Sequence, residues 1–163
     1  MDLLLYPDPR LTQKADAQPV DDGLRAIGEA LLAAAKAAPA YGLAAVHLGQ
    51  VAPVVVIATG TSPAQPDYLV LFNPEILAVA SEVAAGPEGS VSLPGVQVEI
   101  ERPVWAEIAF DDAHGVNQTR RFEGLAARIA LHEIEQMNGM FFLARLSRLK
   151  RDMALRKWKK RPG

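Results

Sequence analysis

The chain has 163 residues, of which 50% are hydrophobic and 22% are charged, an ordinary composition for one soluble globular domain. Because it contains no cysteine, disulfides, thiolate metal ligands and cysteine nucleophiles are excluded. The net charge is −2, yet nine of the 17 Lys and Arg residues and only one of the 19 acidic residues lie between residues 145 and 163. This asymmetry predicts an anionic partner for the basic end, unless that end is simply a solvated helix.

We expect no targeting signal at the start of the chain. Residues 1–6 lack the basic start and the long apolar run of a signal peptide. No apolar stretch reaches the about 18 residues that a membrane span requires. We therefore expect a cytoplasmic protein without membrane contact, and we expect a monomer.

One helix and six strands are predicted in the first three quarters of the chain. Asp21 and Asp22 can cap a helix that Pro39 ends. Gly60 to Pro66 is predicted as a loop, and Asn73-Pro74 should end the strand that precedes it. β-Branched runs and apolar alternation predict strands over residues 54–59, 68–72, 76–84, 96–100, 104–110 and 116–122.

The next predicted helix opens at Gly124 and carries the clearest chemical signature. His132-Glu133 begins an almost complete H-E-x-x-H pattern, in which two histidines one turn apart bind zinc and the glutamate polarises a bound water. The second histidine position holds Gln136, whose amide is a much weaker ligand than imidazole. The helical spacing marks one face that we expect to point inward, formed by Leu125, Ile129, His132 and Gln136.

Two upstream segments extend this signature to a family resemblance. Residues 41–47 read YGLAAVH, and residues 88–95 read EGSVSLPG. In order along the chain, these segments and the helix resemble the G-x-G-L-A-A-x-Q, E-G-C-L-S and H-E-x-D-H motifs of peptide deformylases. Further similar stretches make the resemblance cover nearly the whole chain, at residues 6–11, 73–76, 102–103 and 145–151.

The resemblance implies a fold and an activity. The fold is α+β, with one domain over residues 1–163, antiparallel sheets around a central helix carrying His132-Glu133, and a basic C-terminal helix. The family activity is removal of the formyl group from N-formylmethionyl peptides. A bound divalent metal makes hydroxide available in that reaction, and the glutamate transfers the proton.

At the ligand positions the sequence departs from the family. Deformylases bind their metal with one cysteine and two histidines, and these positions hold Ser90, His132 and Gln136 here. A serine hydroxyl does not ionise near neutral pH as a thiol can, so two of the three ligands are poor ones. We therefore expect no metal, or a weakly bound Fe or Zn ion with His132 as the remaining family ligand.

The resemblance also implies roles for other residues. Glu133 would be the proton shuttle, and the backbone N–H of Val91 would be one oxyanion donor. His47 stands where the family has a glutamine that donates to the oxyanion, and a neutral imidazole keeps one N–H for that role. The implied substrate cleft is lined by Gly42, Leu43, Glu88, Gly89, Ser90 and Ile129.

Three hypotheses for the activity follow. The favoured one is a deformylase homologue with a degenerate metal site, which binds a formyl peptide or the ribosome without turnover. The second is an active metal-dependent deformylase or amidohydrolase with a rearranged site that uses His47 and His132. The third is a metal-free hydrolase with Ser90 as the nucleophile and a histidine as its base.

The C-terminal helix is predicted from Ser147, a plausible N-cap, with Leu149, Met153 and Ala154 facing the body of the protein. In bacterial deformylases this helix is implicated in docking on the ribosome. A positive helix can bind rRNA phosphates largely without sequence preference. The side chains expected to make such contacts are Arg148, Arg151, Arg156, Lys157, Lys159 and Lys160.

Overall fold

The computed structural model describes residues 2–60 and 67–160, so most of the loop predicted from Gly60 to Pro66 lies outside the described residues. Within these ranges the strands are β1 Gly42–Ala44, β2 Val54–Ala58, β3 Tyr68–Val79, β4 Val83–Gly89, β5 Gln97–Pro103, β6 Trp105–Asp111 and β7 Asn117–Glu123. The helices are α1 Asp22–Ala37, α2 Gly124–Met137 and α3 Arg148–Lys160.

Two antiparallel sheets enclose α2. One sheet has five strands in the order β1-β2-β3-β6-β7, and the other pairs β4 with β5. Nine of the fourteen residues of α2 are buried, as expected for a helix covered on most of its circumference. The predicted α+β fold with antiparallel sheets around a central helix is confirmed.

The buried strand β2 shows how the core is arranged. All five of its residues are buried, because the side chains alternate between two apolar clusters. Val54 and Val56 contact the cluster that includes Leu24 and Leu31 of α1, whereas the intervening Val55 lies in the cluster around α2. A β-branched run suits a strand that is covered on both faces.

The predicted break at Asn73-Pro74 is wrong. β3 runs through both residues and shifts its register against β6 between Phe72 and Glu75. Asn73 adopts a left-handed φ of 49°, and its side chain donates to the carbonyl of Gln18 at 2.7 Å. A β-bulge therefore accommodates the proline, which has no N–H to offer the ladder. The strand predicted over 76–84 is divided between β3 and β4.

Two predictions about helix faces are wrong in part, because three of the residues are exposed, whereas Ile129, His132, Gln136 and Ala154 are buried as expected. Leu125, expected to point inward, is 60% exposed in the first turn of α2. In α3 the inner face consists of Ala154 with Leu155 and Trp158, because these positions share one side of the helix. Two residues expected on that face are exposed, Leu149 at 68% and Met153 at 59%.

The predicted cap of α3 and the predicted exposure of His114 agree with the structure. Ser147 Oγ accepts the Lys150 N–H at 3.3 Å and so caps α3. His114 is exposed in the β6–β7 turn. None of the described helices is long and apolar enough to cross a bilayer.

Candidate active site

A pocket of about 510 Å³ opens between α2, the start of β1 and the end of β4. Eight predicted site residues line it: Gly42, His47, Glu88, Gly89, Ser90, Val91, Ile129 and His132, together with Glu133 as a ninth. The three sequence segments of the resemblance therefore meet at one site. The roles assigned to these residues stay predictions.

The close approach of β1 to α2 depends on Gly42. A Cβ atom at this position would lie 2.7 Å from Ile129 Cγ2 and 2.9 Å from Glu133 Oε2. Real Cβ atoms do not come so close to other heavy atoms, so only glycine allows the strand to lie directly on the Glu133 side chain. The glycine in the first motif is thus a packing requirement of the pocket floor.

One wall of the pocket is a buried ion network centred on Glu88. Arg102 donates to both carboxylate oxygens, from Nε at 2.8 Å and from Nη2 at 2.9 Å. Arg128 Nη1 lies 2.7 Å from Oε2, and His132 Nδ1 lies 2.7 Å from Oε1. Burial would raise the pKa of Glu88, but the hydrogen bonds from Arg102 and His132 outweigh it and lower the pKa to about 2.

The ionised Glu88 orients His132. Because the carboxylate can only accept, His132 Nδ1 donates, and Nε2 is the ring nitrogen left for the pocket. Burial would lower the pKa of His132, but the neighbouring carboxylates of Glu133 and Glu88 raise it above the ordinary value. A carboxylate on the rear nitrogen is also how metal-binding histidines are commonly held.

The network continues away from the pocket. Arg102 Nη1 donates to Glu135 Oε1 at 2.7 Å, and Arg145 also donates to both oxygens of Glu135. The Arg102 side chain is 1% exposed. The buried guanidinium of Arg102 is thus paired with two carboxylates, and these hydrogen bonds offset the cost of burying its charge.

The opposite wall holds two buried polar atoms without any hydrogen-bond partner among the described residues, His47 Nε2 and Glu133 Oε1. His47 Nδ1 accepts the Ala44 N–H at 3.0 Å and lies 4.0 Å from Glu133 Oε1. Burial, and secondarily the charge on His132, lowers the pKa of His47 to about 3. Burial raises the pKa of Glu133 to about 7.

Two predicted site residues lie outside the pocket. The Leu43 side chain is fully buried in the cluster beneath α1, because it points to the opposite face of β1 from Gly42 and Ala44. Gln136 is 2% exposed and donates from Nε2 to the carbonyl of Leu11 at 2.7 Å. Its amide thus holds the N-terminal segment against α2.

Ser90 lines the pocket without a histidine partner. Its Oγ accepts the Ser92 N–H at 3.1 Å. Among the hydrogen bonds of residues 2–60 and 67–160, none joins this hydroxyl to His47 or His132. The geometry for general-base activation of a serine, a direct hydrogen bond to the base, is not formed.

Sequence reasoning missed Arg128, which precedes His132 by one turn on the same helix face. Arg128 fills the space left by Gly86, where a Cβ would lie 3.0 Å from the guanidinium. It donates to the carbonyls of Ala84 and Ile100 at 2.7 Å and 2.8 Å. The i, i+4 spacing to His132 is the sequence signal that would have found it.

The residues present do not fit the three-ligand metal centre that the resemblance implies. In residues 2–60 and 67–160, no group of three or more His, Cys, Asp or Glu side chains is arranged to hold a metal ion. Gln136 uses its amide on Leu11, and His47 Nδ1 uses its lone pair on the Ala44 N–H. Among the three positions that bind the metal in the family, only His132 offers a good ligand atom to the pocket, its Nε2.

The amino-acid sequence is similar to that of known proteins. The sequence model of the polypeptide deformylase family matches residues 1–152. A peptide deformylase-like protein of Agrobacterium fabrum is 42% identical over 142 residues, which cover 86% of this chain and 83% of that protein. A second protein of the same organism, named peptide deformylase, is 34% identical and covers 97% of this chain and 94% of its own length.

A solved peptide deformylase structure has the same fold as this chain. The peptide deformylase from Ehrlichia chaffeensis, crystallised in complex with actinonin, has a TM-score of 0.89 to this chain at 29% identity. The match covers 98% of this chain and 96% of that one. The fold is that of deformylases as a class. The chain belongs to the polypeptide deformylase family.

Proposed function

We propose that the chain binds an N-formylated peptide in this pocket, with N-formylmethionyl peptide as the reference ligand, and does not hydrolyse it by the metal-dependent route. The observation that carries the proposal is the pair of buried, unpartnered atoms, His47 Nε2 and Glu133 Oε1. Leaving such groups unsatisfied costs about 1–3 kcal/mol each, so a ligand that pairs with both gains affinity.

A formamide offers the complementary atoms. Its carbonyl oxygen can accept the N–H of His47 Nε2, and its N–H can donate to the Glu133 carboxylate. A free α-amino group has no acceptor for His47 and carries a charge into a buried site. The pocket chemistry therefore favours formylated over unformylated termini.

The peptide beyond the formyl group also finds suitable surfaces. β1 is an edge strand, and an extended peptide can pair with such an edge through its backbone. Two apolar side chains at the pocket, Tyr41 and Leu125, are each 60% exposed and provide contacts for peptide side chains. The Ehrlichia deformylase, crystallised in complex with actinonin, supports ligand binding by a protein of this fold.

Turnover lacks its nucleophile under this proposal. The metal in deformylases lowers the pKa of water to about 7, and without it the glutamate faces water with a pKa of about 16. The pKa of about 7 suits Glu133 to proton transfer, but proton transfer alone contributes far less than an activated hydroxide.

The test is fluorescence anisotropy with labelled formyl-Met-Ala-Ser, its unformylated form and its N-acetyl form, alongside a formate-release assay. We expect saturable binding that prefers the formyl peptide by about tenfold or more, with no enzymatic formate release. The variant His47→Ala should lose this preference, whereas the control His114→Ala, on an exposed turn, should keep it.

Two outcomes would contradict the proposal. Near-stoichiometric metal with formate release would favour the rearranged metal site with His47 and His132. Covalent labelling of Ser90 by an activated ester, lost in Ser90→Ala, would favour the serine hydrolase.

We further propose that α3 contacts ribosomal RNA while the pocket receives the nascent chain. Six of its basic residues are exposed, namely Arg148, Lys150, Arg156, Lys157, Lys159 and Lys160, whereas Arg151 is half-buried. Binding that neutralises phosphates weakens steeply with salt. Co-sedimentation with ribosomes should be lost at high salt and in R148Q/R156Q/K159Q, and retained in the control K14Q/K36Q/R120Q, whose three residues are exposed elsewhere.

Equal co-sedimentation of both triple variants would contradict a role for α3.

We also propose that the binding unit is a monomer with a single domain over residues 1–163. Size-exclusion chromatography with light scattering tests this oligomeric state.

A further inference from the structure

A second cleft, of about 580 Å³, opens between α3 and the turn that precedes β5. Its volume is within the range of about 300–1,000 Å³ that is usual for small-ligand sites. The residues that line this α3 cleft differ from those that line the pocket of the candidate active site. They come from the turn and from the helix: Pro94, Gly95, Val96, Met153, Arg156, Lys157, Trp158 and Lys160.

The α3 cleft is electropositive. Three of its lining residues are exposed cations, Arg156, Lys157 and Lys160, and none of the described residues that line it is acidic. Asp152, the single acidic residue of α3, is exposed and does not line the cleft. Lysine and arginine side chains that meet at one place form a binding site for phosphate. The charge therefore favours a ligand that carries phosphate.

The rest of the α3 cleft is largely apolar. Val96 is 5% exposed, and Trp158 is half-buried and packs against the core around α2. Met153, expected to face the body of the protein, instead lines the cleft and is 59% exposed. An indole ring and a flexible thioether both make favourable contacts with a planar aromatic ring. The cleft thus suits a ligand with a planar part and an anionic part.

We infer that the α3 cleft binds one nucleotide of single-stranded RNA, with its base against Trp158 and Met153 and its phosphates at the three cations. Proteins bind single strands by stacking bases on aromatic side chains within a basic groove. An acidic peptide offers carboxylates to the cations but no base to the apolar surface. The inference rests on the proposed contact of α3 with RNA, and it adds the place at which a base is held.

The match to the family does not account for this cleft. The family model matches residues 1–152, and the five helix residues that line the cleft lie beyond that range. The turn that completes the cleft belongs to the same segment between β4 and β5 that lines the pocket with Ser90 and Val91. An RNA strand in the cleft would therefore lie beside the segment that contacts the peptide.

The first experiment tests the base. It uses fluorescence anisotropy with a labelled oligoadenylate of about ten nucleotides, within the usual range of site sizes, and with an abasic strand that carries the same phosphates. We expect oligoadenylate to bind at least about tenfold more tightly, because the abasic strand cannot stack. Met153→Ala should reduce this preference. The matched control Leu149→Ala, 68% exposed one turn earlier and outside the cleft, should retain it. Equal affinity of the wild type for the two strands would overturn the inference.

The second experiment removes the same charge from two sides of α3. R156Q/K157Q/K160Q removes the cations of the cleft, and R148Q/K150Q/K159Q removes three exposed cations that do not line it. Attraction spread over the whole helix predicts equal weakening of the two variants. We expect the cleft variant to lose at least about tenfold more affinity for oligoadenylate. Urea denaturation checks that both variants are folded.

The outcomes of this comparison separate the two proposals. Equal weakening of the two triple variants would overturn the α3 cleft as a site and leave the proposed contact of α3 with RNA in place. No binding of oligoadenylate by the wild type, together with no co-sedimentation with ribosomes, would overturn both.

The third experiment observes the cleft directly. The chain has two tryptophans, so Trp105→Phe leaves Trp158 as the single indole fluorophore. Trp105 lies in β6, with the Arg121 guanidinium 3.9 Å from its ring centroid, and does not line the cleft. Oligoadenylate should quench the Trp158 fluorescence, whereas the abasic strand and polyglutamate should leave it nearly unchanged. Quenching by polyglutamate as strong as that by oligoadenylate would identify an acidic peptide as the ligand and overturn the inference.

Discussion

Two glutamates in the pocket have the same exposure and opposite electrostatics. Glu88 and Glu133 are each 6% exposed. Three side chains donate to Glu88, and its pKa falls to about 2, whereas Glu133 Oε1 has no hydrogen-bond partner among the described residues and its pKa rises to about 7. Burial raises the pKa of both carboxyl groups, and at Glu88 the hydrogen-bond donors outweigh that effect.

This difference divides the pocket into a saturated half around Glu88 and an unsaturated half formed by His47 and Glu133. The Glu88 half is saturated with protein hydrogen bonds, so that a ligand gains little from contacting it. The half with His47 and Glu133 has unmet hydrogen-bonding capacity, and water or ligand polar groups gain most there. The same sequence segment, residues 132–133, contributes one residue to each half.

The largest expected effect comes from breaking the saturated half. Arg102→Met leaves two carboxylates, Glu88 and Glu135, without their shared buried cation and should destabilise the protein by about 3 kcal/mol. The control Arg121→Met removes a half-exposed ion pair with Glu107 and should cost about 1 kcal/mol or less. Urea denaturation at neutral pH measures both, and equal losses would show that burial does not strengthen the network.

Glu133→Gln tests the unsaturated half through the pH dependence of the free energy of unfolding. The folded pKa of about 7 exceeds the unfolded value of 4.5, so the folded state binds the extra proton between these values and loses stability as pH rises. The 2.5-unit difference corresponds to about 3 kcal/mol at pH above 7, and this penalty is absent below pH 4.5.

The glutamine variant should therefore equal the wild type in acid and exceed its stability by up to about 3 kcal/mol above pH 7. Urea denaturation across this range gives the difference curve. The opposite slope applies to Glu88, whose lowered pKa stabilises the fold above pH 4.5 and loses that effect as pH falls towards 2. A flat difference curve for Glu133→Gln would mean that a bound partner already satisfies Glu133.

Gly42→Ala perturbs the contact between β1 and the unsaturated half. The new Cβ must displace Ile129 and Glu133, which should cost about 1–3 kcal/mol and weaken peptide binding. The control Gly23→Ala lies in the first turn of α1, where the nearest atom is Asp21 Oδ1 at 3.5 Å, and should be neutral or stabilising by up to about 1 kcal/mol. Undiminished binding by Gly42→Ala would place the ligand away from Glu133.

The sequence predicted the elements whose causes are local. Asp21 accepts the Leu24 N–H as the N-cap of α1, and the β-branched run of β2 is buried on both faces, as expected. Residues of the three motifs line one pocket, as expected for a chain with the fold of the family that it resembles. Such features depend on short-range pattern or on a shared ancestry, and both are readable from one chain.

The features that the sequence did not predict depend on distant contacts. The bulge at Asn73 is supported by Gln18 and Asp111. The position of Arg128 depends on the missing side chain of Gly86, 42 residues earlier. The hydrogen bond from the Ala44 N–H to His47 Nδ1 depends on the 3-10 helix Ala45–Leu48, which a helix or strand pattern does not encode. Pairwise geometry of this kind is absent from periodicity.

The smallest expected effect is that of Ser90→Ala, at the boundary between the two halves. Its Oγ accepts only the Ser92 amide, so the loss should be about 1 kcal/mol, with peptide affinity unchanged within about twofold. The control Ser92→Ala removes a fully buried hydroxyl that donates to the Leu4 carbonyl at 2.6 Å and should cost more, about 1–3 kcal/mol. If Ser90→Ala weakened binding more than it weakened folding, its hydroxyl would contact the ligand, and the unsaturated half would extend to the end of β4.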